Sequence, residues 1–120
     1  MGKEHDFQKQ AVDLLRRFGV LVISADVMDG LKFLPARDGR ARSMFVNHHK
    51  AMGYLPGQPD LMIFGKGGRV WFFELKTRKG AQRETQKQFE SICQMKGIPY
   101  GIWRDIDEVY RWYNNNKIYL

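Results

Sequence analysis

Gly57-Gln58-Pro59-Asp60-Leu61-Met62-Ile63-Phe64 leads into Gly65-Lys66-Gly67-Gly68, and Arg69-Val70-Trp71-Phe72-Phe73-Glu74-Leu75-Lys76 leads out of it. This stretch decides the fold. Leu55-Pro56-Gly57-Gln58-Pro59-Asp60 is turn chemistry, since proline and glycine punctuate regular structure. Leu61 to Phe64 is a continuous apolar run and predicts a buried strand. Gly65 to Gly68 predicts a hairpin turn. The returning run, Arg69 to Lys76, is rich in aromatic residues and predicts a second strand. Alternation sets Val70, Phe72, Glu74 and Lys76 on one of its faces and Trp71, Phe73 and Leu75 on the other.

Outward from the hairpin, the pattern becomes mixed. Phe7, Ala11, Leu14, Leu15 and Phe18 recur at helical spacing, with Gly19 as a stop. Glu4 extends the same stripe, an unusual place for a carboxylate. Val20 to Ile23 reads as a short strand. Asp26 to Arg42 is rich in Gly, Asp and Arg and reads as irregular, with a strand near Leu31 to Leu34. Ala41 to Met52 is expected to be a helix with Met44, Phe45, His48 and Met52 along one side. A helix over Arg83 to Lys96 places Gln86, Phe89, Ile92 and Cys93 on one side and ends at Gly97. Tyr100 to Trp103 reads as a strand. Asp105 is expected to cap a last helix carrying Ile106, Val109, Tyr110 and Tyr113. The fold class expected is α/β, a mixed sheet flanked by helices.

A chain of 120 residues suits one compact domain over residues 1–120. Twenty Lys and Arg oppose thirteen Asp and Glu, a formal charge of +7, which favours a polyanionic partner such as nucleic acid. One cysteine, Cys93, excludes an intrachain disulfide. No apolar run approaches the ~18 residues that span a bilayer, and the N-terminus has no signal-peptide pattern. The expectation is a soluble, cytoplasmic chain with no membrane partner.

The chemistry-bearing residues lie at the hairpin. Asp60 stands at the mouth of the first strand, and Glu74 and Lys76 come near the end of the second. A short hairpin brings its open ends together, so two carboxylates and an ammonium can converge. Hard divalent cations take oxygen ligands, and Mg²⁺ binds through one or two carboxylates while keeping several waters. Such an ion neutralises phosphate charge and lowers the pKa of water, which suits phosphodiester hydrolysis. Glu-x-Lys alone is most often a solvated pair on an edge strand. Here Glu74 ends a strongly apolar strand, where an unpaired charge is costly. Asp60 follows a constrained turn, and Lys76, Arg78, Lys79, Arg83 and Lys87 make the next segment basic. Arg37, Arg40, Arg42, Arg78, Lys79, Arg83 and Lys87 are the candidate nucleic-acid contacts.

Gly57-Gln58-Pro59-Asp60-Leu61, then Phe73-Glu74-Leu75-Lys76-Thr77, then Gly80 and Gln86-Lys87-Gln88-Phe89, resembles the virus-type replication-repair nuclease domain of the PD-(D/E)XK nuclease superfamily. The resemblance runs from Glu4-x-x-x-Gln8 to the final helix. It implies a restriction-endonuclease-like fold and a DNA endonuclease using Mg²⁺ or Mn²⁺. It implies Asp60 and Glu74 as metal ligands, the Leu75 carbonyl as a third, and Lys76 as the catalytic lysine. It implies Glu4 as the acidic residue of the first helix and Gln86 as the polar residue of the helix after the motif strand. Small stand-alone members of this family look like resolvases of four-way junctions, which implies a homodimer on branched DNA in bacterial or phage-infected cytoplasm. One departure is visible: the family often has Ser three residues before that glutamine, where this chain has Arg83.

Other groups carry less. His48 and His49 are adjacent, so on a helix they diverge and read as surface or phosphate-contacting groups rather than a metal pair. Cys93 reads as core. Trp71, Trp103 and Trp112 read as core or dimer packing. Trp112 and Tyr113, adjacent on the last helix, are not expected to face one core together, which leaves one for a partner. A DNA-binding module that has lost catalysis is the rival function, and a basic toxin or RNA-binding protein a weaker one. Two carboxylates beside phosphate repel it and serve no purpose in a pure binding module.

Overall fold

The computed structural model describes residues 3–25 and 28–120, with the side chains of Lys3, Glu4, Asp29 and Lys32 outside the description. The elements run α1 (Lys3–Arg17), β1 (Leu21–Ser24), a 3-10 turn (Met28–Phe33), α2 (Gly39–Ala51), β2 (Leu61–Phe64) and β3 (Val70–Leu75). They continue with α3 (Glu84–Lys96), β4 (Tyr100–Trp103), α4 (Ile106–Asn116) and a final 3-10 turn (Lys117–Tyr119). The hairpin between β2 and β3 forms as its glycines require: Gly67 and Gly68 sit at φ 68° and 76°, where a side chain would strain the backbone.

The sheet order is β1-β2-β3-β4. β1 pairs with β2 and β2 with β3 antiparallel, Leu61 opposite both Ser24 and Phe73. β3 pairs with β4 parallel, Phe72 opposite Tyr100 and Glu74 opposite Ile102. A parallel neighbour needs a crossover, and α3 supplies it. The sheet is therefore mixed and flanked by helices, as expected.

One face of the sheet packs on α1 and α4. Its core joins Ala11 and Leu15 of α1, Val22, Leu61, Ile63, Trp71, Phe73, Leu75 and Trp103 of the strands, and Val109 of α4. Burying an aliphatic side chain of this size contributes about 1.5–3 kcal/mol. Phe73 stacks on Trp103 at 3.7 Å between ring centres, and Trp112 sets its edge against Trp71, Phe73 and Trp103. The tryptophans are thus core. Tyr113 stacks on Phe18 at 4.3 Å, so Trp112 and Tyr113 are both used inside the chain. Neither is left over for a partner, contrary to expectation.

The other face takes Phe72, Glu74 and Tyr100 and is covered by α3, whose Phe89 lies 6.0 Å from Phe72 and 6.3 Å from Tyr100. Cys93 of α3 is buried, and burial, with Glu90 nearby, pushes its thiol above the ordinary value. It is an inert core group. Asp105 caps α4 as expected, its carboxylate accepting from the Glu108 N–H at 2.9 Å.

One expectation fails between β1 and β2. Leu31 to Leu34 is not a strand: Leu31 to Phe33 belong to the 3-10 turn, and the Leu34 N–H donates to the Leu31 carbonyl. Arg42 holds that turn, its guanidinium donating to the Leu31 and Leu34 carbonyls at 3.1 and 3.2 Å. α2 is helical, but none of its residues is buried, and Met44 and Met52 are exposed. It packs on the turn through Phe45, whose ring meets Gly30 so closely that an added Cβ would lie 2.8 Å from it.

Candidate functional site

Asp60 is placed by its main chain. Its N–H donates to the Phe73 carbonyl at 3.1 Å and its carbonyl accepts from the Ala25 N–H at 2.9 Å. Register pairs Phe73 with Leu61, so the chain bends at Asp60. Two residues further, the register would bring Pro59 opposite Leu75. The Leu75 N–H is instead met by the Asp60 carboxylate, Oδ2 at 2.7 Å. A side chain thus ends the ladder between β2 and β3. In an extended strand a residue's N–H and C=O point to the same side, so the Leu75 carbonyl is directed towards Asp60 as well.

Glu74 is one residue away on the α3 face and only 1% exposed. Its Oε2 accepts from the Tyr100 hydroxyl at 2.5 Å and from the Gln82 amide at 3.4 Å. Gln82 also donates to Glu90 Oε1 at 3.2 Å. Glu74 Oε1 is fully buried and, among the described residues, has no hydrogen bond. The Lys76 ammonium lies 3.4 Å from it, and Lys76 is itself 8% exposed. Alternation along β3 predicted that Glu74 and Lys76 share a face, and they do. Burial and the Glu74 carboxylate push the Tyr100 hydroxyl well above the ordinary tyrosine value, so at neutral pH it remains a donor.

The turn before β2 is pressed on α3. Gly57 has φ 87°, and a Cβ there would lie 2.1 Å from the Thr85 carbonyl oxygen, so glycine is required on both counts. This approach sets Asp60 and Gln86 on one cleft of about 420 Å³, with Lys50, Tyr54 and Arg83 also on its wall. Gln86 is 5% exposed, and its Oε1 accepts from the Arg83 N–H at 2.8 Å. Gln86 thus supplies the half of a capping box that reaches back to the N-cap N–H, while its own N–H, which a serine at position 83 would meet, donates to the Arg83 carbonyl at 3.0 Å. The structure joins Asp60, Glu74, Leu75, Lys76 and Gln86 at one end of the sheet. Glu4 lies in α1, and its side chain is outside the described residues.

The basic residues divide. Arg37, Arg40, Lys79, Arg83 and Lys87 are exposed. Arg78 is exposed too, with Asp105 at 3.8 Å. Arg42 is tied to the 3-10 turn as described. His49 stacks on Phe45 and lies edge-on to His48, a helix-surface arrangement. Sequence reading missed Tyr100 and Gln82. It also missed Arg104, whose guanidinium donates to the Thr77 and Gly80 carbonyls at 2.8 and 2.6 Å and so shapes the loop carrying Arg78 and Lys79. An arginine after a strand carries no signal that separates it from a solvated one.

The donor set fits a hard cation. A buried carboxylate oxygen without a hydrogen bond, a second carboxylate held on the N–H of the next residue and that residue's main-chain carbonyl are oxygen ligands of the kind Mg²⁺ and Mn²⁺ take. Among the described residues no group of three or more His, Cys, Asp or Glu forms an all-protein cage. An ion that keeps several of its waters needs none.

No family model and no curated protein matches this sequence. Solved structures do. One described as "VRR_NUC domain" aligns over 95% of this chain and 97% of its own, at TM-score 0.62 and 19% identity. Another, "VRR_NUC domain protein", aligns over 96% of this chain and 88% of its own, at TM-score 0.67 and 17% identity. Over nearly the whole chain, the fold is that of the VRR_NUC domain structures.

Proposed function

We propose that this chain is a metal-dependent DNA endonuclease with Asp60, Glu74 and Lys76 at its centre. The observation that carries the reading is the buried Glu74 Oε1, without a hydrogen bond, beside the Lys76 ammonium and next in sequence to the residue that anchors Asp60. A structural ion pair would satisfy both oxygens, because an unsatisfied buried acceptor is costly. Asp60, Glu74 and the Leu75 carbonyl would hold Mg²⁺ or Mn²⁺. The bound ion supplies charge neutralisation at the phosphate and acidifies a water. Lys76 offers its ammonium to the charge that develops on the phosphorus oxygens. The exposed Arg37, Arg40, Arg78, Lys79, Arg83 and Lys87 give the phosphate backbone its sequence-independent attraction. Gln86 and the basic wall of the cleft meet the strand next to the cut, with Glu4 as a further acidic group on α1. A nuclease assay on linear, flapped and four-way DNA, with and without Mg²⁺ or Mn²⁺, tests the reading. Cleavage that persists in chelator refutes it.

The same reading extends to a symmetric homodimer acting on branched DNA. One site cuts one strand at a time, and a two-fold dimer supplies the matched second site. Trp112 and Tyr113 do not furnish the interface, since both pack inside the chain. Phe33, Met44, Met52 and Leu55 are exposed large apolar side chains on α2 and the turns that flank it. Sedimentation is expected to give twice the chain mass, and a four-way junction labelled on each strand to show paired cuts. A monomer at micromolar concentration with no preference for junction over linear duplex would rule out the dimer and leave the nuclease reading in place.

A further inference from the structure

The Glu74 carboxylate is held asymmetrically, and the groups that hold it come from outside the motif strand. Both donors fall on Oε2: the Tyr100 hydroxyl at 2.5 Å and the Gln82 amide at 3.4 Å. Oε1, on the other side, faces the Lys76 ammonium at 3.4 Å and receives no hydrogen bond. The terminal torsion of a glutamate is broad and roughly two-fold. Two donors on one oxygen narrow it, and they leave the lone pairs of the other oxygen, beside the Lys76 ammonium, without a donor.

We infer that Tyr100, together with Gln82, is the positioning residue that presents Glu74 Oε1 to the cation. This rests on reading Asp60 and Glu74 as the cation site. The sheet explains why the residue comes from β4. Parallel pairing sets Tyr100 opposite Phe72, on the same face as Glu74 two residues along, and a tyrosine is long enough to cross that diagonal. Phe89 of α3 packs over both the Tyr100 and Phe72 rings and fixes the direction of the hydroxyl. Gln82 is fixed in turn by Glu90. Its nitrogen lies between two carboxylates, Glu74 and Glu90, so the amide has one chemically sensible orientation, with both hydrogens donated. The whole device is a hydrogen-bonded shell behind a ligand, of the kind that tunes metal sites elsewhere by orienting the ligand rather than touching the ion.

The test is Mn²⁺ binding to the protein without DNA, read as free Mn²⁺ by electron paramagnetic resonance, for the parent, Tyr100→Phe, Gln82→Ala and the double variant. Tyr100→Phe is expected to weaken Mn²⁺ binding by about 10–100-fold, the usual cost of losing a partner behind a ligand. Gln82→Ala is expected to weaken it less, since its bond is the longer one. The double variant is expected to lose less than the product of the two, because both act on one oxygen. In cleavage, the Mn²⁺ concentration for half-maximal rate should rise by the same factor while the plateau rate returns at high Mn²⁺. A merely structural role would lower the melting temperature and the plateau without moving half-saturation, and that outcome overturns the inference. So does Mn²⁺ binding by Tyr100→Phe equal to the parent. Should Tyr100→Phe fail to fold, Gln82→Ala on the loop before α3 carries the same expectation and the same refutation. Glu74→Gln separates the two levels. If it binds Mn²⁺ as the parent does, the cation site falls and the positioning with it. If it loses Mn²⁺ while Tyr100→Phe does not, only the positioning falls.

Discussion

Glu74→Ala is expected to abolish cleavage while DNA binding survives or tightens. A cation at a phosphoryl oxygen is worth several kcal/mol of charge stabilisation, and at tenfold per 1.36 kcal/mol its loss lowers the rate by about 10³ or more. DNA binding moves the other way, because a carboxylate that repels phosphate has gone. The variant also strips the Tyr100 hydroxyl of its acceptor and the Lys76 ammonium of its counter-charge, so a thermal melt must accompany the assay. Glu74→Gln keeps an acceptor for Tyr100 and is expected to lose cleavage with the fold closer to the parent. Cleavage by Glu74→Ala in excess Mg²⁺, from protein free of contaminating nuclease, would remove Glu74 from the centre.

Lys76→Ala is expected to lower turnover by about 10²–10³, the typical cost of deleting one preorganised electrostatic contact in a transition state. Its effect on the cation should be small and opposite in sign. The ammonium lies 3.4 Å from Glu74 Oε1, so it competes for that oxygen, and removing it leaves Mn²⁺ affinity equal to the parent's or greater. Turnover at saturating metal and Mn²⁺ affinity without DNA are measured separately. A variant whose defect is mainly lost metal binding, cured by more Mn²⁺, would show that Lys76 supports the site rather than the reaction.

The parts of this molecule that were legible in the sequence are those fixed by near neighbours. The hairpin was, because Gly65 to Gly68 admit one kind of turn and the flanking runs are apolar. The limits of α3 and α4 were, because Gly97 and Asp105 stop and start helices by local hydrogen bonding. Asp60, Glu74 and Lys76 could be brought together on paper because a hairpin and a period of two suffice. The rest depends on distant partners. The turn at Leu31 is held by a guanidinium from Arg42, eleven residues on, and no local pattern reports that. The stripe on α2 has helical spacing, yet no sheet lies opposite it, and periodicity alone does not supply one. Tyr100 meets Glu74 through the register of a parallel pair, which the α3 crossover sets and the strand sequences do not. Gln86 could be set on one side of α3 by its spacing, but its bond back to the Arg83 N–H was hidden, since arginine is not a capping residue.

The Asp60 side chain ends the β2–β3 ladder and also faces the site, and this double duty shapes how the protein can decay over generations. A lineage released from selection for cutting will lose the charge before it loses the shape. Asparagine offers Leu75 the same side-chain oxygen without the charge, so Asp60→Asn is a silent exit from catalysis. Alanine leaves a buried N–H with no acceptor, at about 1–3 kcal/mol, and selection against misfolding removes it. Asp60→Asn is therefore expected to melt near the parent and cut nothing, and Asp60→Ala to melt lower. Equal melting temperatures would show that the ladder never depended on that oxygen. With unequal ones, retired copies of this domain should carry asparagine at position 60 far more often than alanine.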